Sequence, residues 1–587
     1  MKSREFNRLK QESLADGSSL LFAMSTFYLA TPIVIFIIYW IKPILIPIVL
    51  IPLVFALKSE IIRLNWSMPF IKNVRNSVPK YVIPMILATI WTCIFGAGVL
   101  GPKTGDQMKN LAIFKELSTH SWPVIFENFP VNFDFLSYPL GYYLVPSAMA
   151  KLFGWHTGQV CVSIWTTLGV GLLFSWLRYF FPRKYIFAIL LFICFSGLDV
   201  FGFLFKGFGL PAAGTHLEWW SGWTFMQYSS NATVMAWSTQ HAMAQWLVPC
   251  LLLYWFRKSN LKLDSFILLC TIGSFWSHLT IIGLIIFVPA IKRDSWKDLT
   301  RIQNLYSIPF LTILVTFYSS KSSTTIPMDL IWRLWPTQYI ATWLPLFLFL
   351  EFLFLAAILT FFSKFDSGPE KVLFYAAIVL LCCIPVVHIG WSNDFSMRVS
   401  AVPLFVLFYF TMKLIDQTTI MANSGLRILL LSYFFFASFT PMNEMYRQVS
   451  QIFPQSFFTS SITDVNWNSG INRQNSNCLI TQIPRSFDVR PGDKLQIHGQ
   501  GTFTILIASI TDGFQNICIN STAGVNHKVS PDSSIKLDFK RGNARLNGRF
   551  QLYYFYDETN SPNISSFSPE QYTGSKQSLF FNFIIRK

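Results

Sequence analysis

Charged residues are scarce in this 587-residue chain, at 13% of the sequence, and the acidic sign is the scarcer, with 29 Asp and Glu against 46 Lys and Arg. Soluble domains carry about 25% charged residues. Hydrophobic residues make up 52% of the chain, and Phe alone occurs 59 times. The composition therefore excludes a soluble enzyme, a disordered protein and a fibrous repeat. It predicts a polytopic membrane protein.

Several motifs are also missing from the sequence. It contains no Walker-type glycine-rich loop, no HExxH pair, no paired CxxC and no dinucleotide-binding fingerprint. ATP-driven transport and zinc hydrolysis therefore have no support. We predict neither a metal site nor a resident cofactor, and leave dependence on a divalent ion open. No soluble module carries a basic patch, so the net charge of +17 does not indicate a nucleic-acid partner.

Apolar runs fill residues 20–442 and predict an α-helical membrane bundle of about 11–13 crossings, since one crossing needs about 20 apolar residues. The runs 264–277 and 279–291 fit one tight hairpin around His278. Lys and Arg concentrate in the loops on one side, together with the segment 1–19. The positive-inside rule then places the N-terminus in the cytoplasm and the loops 101–156 and 207–239 outside.

The composition changes at residue 443, where Asn, Ser, Thr, Gly and Asp become frequent. Alternating stretches at 494–498, 502–507, 550–556 and 579–585 predict strands. We expect residues 443–587 to form an extracytoplasmic β-rich domain of the sandwich type. Cys478 and Cys518 are its cysteines, and they are candidates for a disulfide on that side of the membrane.

The first outer loop carries an acidic residue, Asp106, where a helical pattern begins. A carboxylate at this position either caps the helix or performs chemistry. The same loop contributes Lys103, Asp134 and Tyr138 as candidate binding residues.

The second outer loop is rich in Trp. Aromatic rings stack on sugars and amides bond hydroxyls, so the loop is interpreted as a glycan platform. An aromatic belt at the membrane interface is the alternative. The candidate sugar-binding residues here are Trp219, Trp220, Trp223, Glu218, Gln227 and Gln240.

Isolated polar residues in or beside the apolar runs complete the candidates. Arg398 begins a crossing on the outer side and suits a phosphate. An i, i+4 pair with Asp394 is the alternative. Asp199 and Glu351 are costly in hydrocarbon, so each indicates a functional site or a paired structural contact. His278 either binds ligand or belongs to a capped turn.

The loop residues resemble a known family. Asp106 followed by Lys109-Asn110, then Trp122-Pro123-Val124, and later the segment 138–154 resembles the first extracytoplasmic loop of GT-C-type membrane glycosyltransferases. The resemblance extends over roughly residues 81–300. In that superfamily the loop usually follows the first crossing, whereas here it follows the third, so residues 20–57 are an added hairpin.

The resemblance implies a glycosyltransferase with a polyprenyl-phosphate or polyprenyl-diphosphate sugar donor. Asp106 is then the general base acting on an extracytoplasmic acceptor, which is a glycan, lipid or protein. Arg398, with Lys103, His241 and His278, binds the donor phosphate, while Asp134, Tyr138 and Asp394 join the Trp-rich loop around the sugar or acceptor. The implied location is a bacterial inner membrane, with membrane lipids as further partners.

A transporter or flippase for a lipid-linked sugar, or a binding scaffold, is the alternative function. Asp199 and Glu351 favour it as proton-coupling groups. The lack of an internal repeat argues against it. A polymerase or ligase is a closer relative of the enzyme, but its outer loops are expected to be rich in Arg, and these loops are not.

Overall fold

The computed structural model describes residues 2–62, 70–97, 105–128, 132–136, 138–221, 226–259, 263–291, 293–319, 328–390, 393–417 and 423–452, and ten strands between residues 487 and 586. The chain forms two compact units. The first consists of Met1–Lys103, Leu117–Ser221 and Phe225–Ser456. The second consists of Thr104–Glu116, Gly222–Thr224 and Phe457–Lys587.

The described part of the chain up to residue 452 is mostly helical. The helices of its first half are α1 Lys2–Trp40, α2 Ile46–Ile62, α3 Phe70–Phe95, α4 Gly105–Thr119, α5 Leu144–Phe153, α6 Trp155–Phe180, α7 Tyr185–Ile193, α8 Asp199–Phe205, α9 Asn231–Trp237, α10 Thr239–Ser259, α11 Phe266–Trp276 and α12 His278–Gly283. The strands β1 Ile125–Asn128 and β2 Asn132–Phe135 form an antiparallel hairpin after α4.

The helices of the second half continue the same pattern. They are α13 Ile302–Leu305, α14 Ile308–Ser319, α15 Ile331–Leu334, α16 Thr337–Leu348, α17 Phe354–Phe362, α18 Gly368–Cys383, α19 Asp394–Val399, α20 Ala401–Asp416, α21 Ser424–Ala437 and α22 Phe439–Ile452. A π-helical turn, Phe349–Leu353, joins α16 to α17. The strands β3 Met328–Leu330 and β4 Val387–Ile389 pair antiparallel between these helices.

Seven helices in the described residues are long and apolar enough to cross a membrane. They are Ser18–Trp40, Pro43–Ile61, Trp155–Phe180, Thr337–Phe362, Gly368–Val386, Asp394–Asp416 and Ser424–Ser450. The expectation of 11–13 full-length crossings is not met by this criterion, because other apolar runs are short or interrupted. The run 185–206 breaks between α7 and α8, and the run 264–291 breaks at Ser277, at the position of the predicted hairpin.

Small residues allow the long helices to pack closely. A Cβ atom on Gly171 of α6 would lie 2.1 Å from the Met85 sulfur of α3. On the same helix, a Cβ atom on Gly169 would lie 2.6 Å from the Tyr28 hydroxyl of α1. Helices in membranes associate through such close contacts, since lipid provides no hydrophobic driving force between them. These two glycines therefore fix the contacts of α6 with α1 and α3.

The predicted boundary at residue 443 falls inside α22. This helix packs against α3 and α9, so its residues belong to the first unit. Strands of the second unit include Lys494–His498, Gly501–Ser509, Phe550–Tyr556 and Asn582–Arg586. They pair antiparallel in sheets of three and four strands. A single sandwich domain stays a prediction.

Candidate functional site

A polar cluster lies where α19 meets the junction of α9 and α10. We call Tyr138, Ser238, Gln240, His241 and Arg398 the Arg398 cluster. α19 begins after Asn393, which adopts a left-handed conformation (φ 52°), and the Asn393 side chain accepts a hydrogen bond from the Ser396 amide at 3.3 Å. This capped turn starts the helix that carries Arg398.

The Arg398 guanidinium is nearly buried, with 9% of its side chain exposed. It donates to the Ser238 hydroxyl at 2.6 Å and lies 3.6 Å from the half-exposed Asp394 carboxylate. The predicted i, i+4 pair with Asp394 is therefore present. The buried Nε of Arg398 makes no hydrogen bond within the described residues. Since guanidinium has five N–H donors, the group retains capacity for a further anion.

Three predicted residues are linked to Ser238, the hydrogen-bond partner of Arg398: Gln240 and His241 follow it in the chain, and Tyr138 lies beside them. The His241 amide donates to the Ser238 carbonyl at 2.9 Å. Gln240 donates to the Tyr138 hydroxyl at 3.1 Å, and the rings of His241 and Tyr138 lie 6.3 Å apart. The structure therefore brings together Arg398, His241, Gln240 and Tyr138, which the sequence separates by up to 260 positions.

His278 lies beside this cluster. It is exposed at the start of α12, which packs against α19. Its ring lies 4.7 Å from that of Tyr318, whose hydroxyl donates to the Phe275 carbonyl at 3.3 Å. No sequence signal marks Tyr318, because it lies at the end of an ordinary apolar helix.

The structure also gives the secondary-structure positions of Asp106 and Asp134. Asp106 lies in the first turn of α4 and belongs to the second unit. Asp134 lies on β2, opposite Phe126. The side chains of five predicted residues lie outside the described part of the chain. They are Lys103, Trp219, Trp223, Cys478 and Cys518, and of the two cysteines Cys518 lies on a strand.

Three of the predicted sugar-binding residues of the Trp-rich loop are buried. The exposed fractions of Glu218, Trp220 and Gln227 are 0%, 1% and 4%. Trp220 donates to Asp199, and Gln227 donates to Glu218. The interpretation of the loop as a glycan platform stays a prediction.

These inward contacts form a second cluster, consisting of Asp199, Glu218 and Glu351, which we call the acidic cluster. Asp199 accepts hydrogen bonds from Ser196 at 3.1 Å, Trp220 at 3.2 Å and Thr440 at 2.9 Å. The donors come from the chain break before α8, from the Trp-rich loop and from α22. A buried carboxylate with three donors is well solvated by the protein.

Glu218 is held in the same way. Its carboxylate accepts from Gln227 Nε2, the Ser230 amide and the Thr233 hydroxyl, each at 2.7 Å. The pKa of Glu218 is raised to about 7, because the effect of burial, to which neighbouring Asp199 adds, exceeds the opposing effect of His216. This carboxyl group therefore changes protonation near neutral pH.

Glu351 lies on the π-helical turn between α16 and α17. A Cβ atom on Gly197 would lie 2.4 Å from a Glu351 carboxyl oxygen and 2.8 Å from its Cα atom. The Leu198 amide donates to the Leu350 carbonyl at 2.9 Å across the same contact. Gly197 therefore lets the break between α7 and α8 lie directly on the π-helical turn.

A buried ion-pair cluster joins the Trp-rich loop to α22. His216 contacts Glu444, which also pairs with Arg447 and accepts a hydrogen bond from Trp237 at 3.3 Å. Burial opposes protonation of His216, but Glu444 and Glu218 outweigh it, so the pKa of His216 is raised. The sequence could not predict this contact, which spans 228 positions.

Among the described residues, no group of three or more His, Cys, Asp and Glu side chains is arranged to hold a metal ion. Comparison of the chain with protein-family models, with curated proteins and with solved structures finds no match. The structure thus shows a mainly helical protein, several of whose helices are able to cross a membrane. Its cationic polar site is the Arg398 cluster. Its proposed function rests on its own residues.

Proposed function

We propose that the protein is an integral membrane glycosyltransferase that moves a sugar from a polyprenyl-phosphate-linked donor to an extracytoplasmic acceptor. The observation that carries this proposal is the nearly buried Arg398 guanidinium, whose Nε has no hydrogen-bond partner within the described residues. A permanently charged guanidinium group with an unused N–H donor is suited to binding a phosphate. His241, a member of the cluster, and His278, at the start of a helix that packs against α19, are proposed to assist.

The proposed reaction is a single displacement. The acceptor hydroxyl oxygen bonds to the anomeric carbon as the bond from that carbon to the phosphate oxygen breaks. The hydroxyl proton passes to Asp106 as general base, and the polyprenyl phosphate leaves with both electrons of the broken bond. Arg398 stabilises the charge that develops on the leaving phosphate. Lys103, Asp134 and Tyr138 of the same loop are proposed to bind donor or acceptor.

The orientation belongs to the same proposal. Excess Lys and Arg in the loops of one side support a cytoplasmic N-terminus. The Arg398 cluster then faces the opposite side, as does a C-terminal β-rich domain in which Cys478 and Cys518 can pair. A bacterial inner membrane is the proposed location.

A transfer assay with two variants tests the proposal. Membranes containing the protein receive a radiolabelled short-chain polyprenyl-phosphate hexose, and label leaving the lipid fraction is measured. Asp106→Asn is expected to lower transfer by about 100- to 10,000-fold, the usual contribution of a general base. Arg398→Gln loses charge-assisted hydrogen bonds of about 1.5–3 kcal/mol, equivalent to about 10- to 150-fold.

Matched controls lie on an exposed pair with the same spacing. Arg333 and Asp329 are also separated by four positions, at 3.6 Å, but the Arg333 side chain is 70% exposed. Arg333→Gln and Asp329→Asn are expected to keep full transfer. Normal transfer by Asp106→Asn refutes its role as general base, and equal losses in Arg398→Gln and Arg333→Gln refute the phosphate site.

Transport of a lipid-linked sugar is the second candidate, and the acidic cluster favours it. The helix break at 194–198 and the π-helical turn carry buried carboxyl groups, as discontinuous helices of transporters do. In vesicles, a transporter moves the fluorescent donor between leaflets without breaking its sugar–phosphate bond. Movement without cleavage therefore supports this candidate over the transferase.

A further inference from the structure

The acidic cluster contains more carboxyl groups than the nearby cations can balance. Asp199, Glu218 and Glu351 are at least 96% buried. In the described part of this region, the cations His216 and Arg447 both contact the fourth carboxylate, Glu444. Ionised carboxylates are very costly to bury without a paired charge. The balance must therefore come from another positive species.

Asp199 and Glu351 are neighbours, because the Leu198 amide donates to the Leu350 carbonyl at 2.9 Å and α8 packs against the π-helical turn. Two neighbouring carboxyl groups can hydrogen-bond to each other only when one of them carries a proton. Asp199 already accepts hydrogen bonds from Ser196, Trp220 and Thr440, and this set of donors favours its ionised form. Glu351 is therefore the partner that donates.

Tyr433 provides an independent indication of a small ligand. Its side chain is 3% exposed, and its hydroxyl has no hydrogen-bond partner within the described residues. Its helix α21 packs against α8, which begins at Asp199, and its ring lies 5.9 Å from that of Phe354, which directly follows the π-helical turn that carries Glu351. A buried hydroxyl beside two carboxyl groups, without a partner among the described residues, leaves a place for a water molecule or hydronium ion.

A small cavity is lined by Glu351. Its polar lining also includes Ser196, Tyr228, Ser229, Ser230 and Asn231, and it has room for about one water molecule. The Ser230 amide donates to Glu218. The cavity therefore extends from Glu351 to a residue that binds Glu218.

We infer that Asp199, Glu218 and Glu351 form a proton-binding site, in which Asp199 and Glu351 share one proton and Glu218 exchanges a second. The proton is the ligand, and the cavity and the Tyr433 hydroxyl are its surroundings. The site involves no residue of the Arg398 cluster, so it does not depend on the transferase proposal.

The surroundings of Glu218 agree with an exchangeable proton. The titratable groups that face it are His216 on its own loop, Asp199 on α8 and Glu351 on the π-helical turn. α9 contributes only the neutral Thr233 hydroxyl and the Ser230 amide. With burial as the largest cause, the pKa of Glu218 is raised to about 7.

Infrared spectroscopy of the purified protein tests the site, because a protonated carboxyl group has its own C=O band that shifts in D2O. The wild-type protein is expected to show this band above neutral pH, from the shared proton, and to gain about one carboxyl group as the pH falls through about 7. Glu351→Gln removes the first component. Glu218→Gln removes the gain.

Glu370→Gln is the matched control, since Glu370 is also buried but pairs with Lys413 at 2.5 Å. It is expected to leave both components intact. Loss of neither component in the Glu351 and Glu218 variants overturns the site. If Glu351→Gln fails to fold, absence of the D2O-sensitive band from the wild-type protein overturns it equally. A melting temperature raised by Na⁺ but not by choline, without the band, identifies a metal cation instead.

Discussion

Replacing Gly197 with alanine tests the contact on which the acidic cluster depends. The added Cβ atom would lie 2.4 Å from a Glu351 carboxyl oxygen and 2.8 Å from the Glu351 Cα atom. A flexible side chain can move away from a Cβ atom, but the backbone of a packed helix cannot do so cheaply. Overpacking of this kind costs about 1–3 kcal/mol. We expect the upper part of this range, because the clash includes backbone.

Gly425→Ala is the control for this substitution. Gly425 lies in the first turn of α21, and a Cβ atom there would meet only the Asn423 carboxamide oxygen, at an ordinary contact distance of 3.5 Å. Alanine in place of an unstrained helical glycine stabilises a protein by about 0.4–1 kcal/mol. The two variants are therefore expected to shift stability in opposite directions.

The assay follows thermal unfolding in detergent through the reaction of a thiol-specific dye with Cys250, which is fully buried. Exposed Cys93 and Cys383 react from the start and form a constant background. Gly197→Ala should unfold at a lower temperature than the wild-type protein, and Gly425→Ala at the same or a higher one. Equal unfolding temperatures for Gly197→Ala and the wild-type protein would refute the packing of the helix break on the π-helical turn.

Two further predictions concern buried ion pairs. Lys413→Met leaves Glu370 buried without its cation and should destabilise the protein by about 3–5 kcal/mol. Lys184→Met removes the cation of an exposed pair and should change stability by at most about 1 kcal/mol in the same dye assay. Equal effects of the two substitutions contradict the buried pairing of Lys413 with Glu370. Since Glu444 raises the pKa of His216, their pair stabilises the protein while both groups are charged and loses this contribution as the pH rises through that pKa. The melting temperature of Glu444→Gln should therefore depend less on pH than that of the wild-type protein, and an unchanged pH profile contradicts it.

Local patterns in the sequence predicted some parts of the structure well. Hydropathy indicated a helical membrane protein, and the i, i+4 spacing indicated the pair of Asp394 with Arg398. The insertion cost of charge marked Asp199 and Glu351 as unusual. These properties depend on residues close in the chain or on single residues in hydrocarbon.

Contacts between distant segments could not be predicted from those patterns. Asp199 and Glu351 meet because α8 and the π-helical turn pack together, and hydropathy contains no information on which helices are neighbours. The Trp-rich loop was interpreted from its composition as a glycan platform or an aromatic belt. Its composition does not reveal that Glu218 accepts hydrogen bonds from three donors inside the fold. Ser238 and Tyr318 were missed because their importance arises only from what they touch.

Native mass spectrometry of the lipids that co-purify with the protein tests the proposed function most directly. After gentle extraction, the wild-type protein and Arg333→Gln are expected to retain a polyprenyl-phosphate sugar, while Arg398→Gln is expected to lose it. Only bulk phospholipid on all three proteins, or equal retention of the polyprenyl lipid by Arg398→Gln, would contradict the assignment of Arg398 to a donor phosphate.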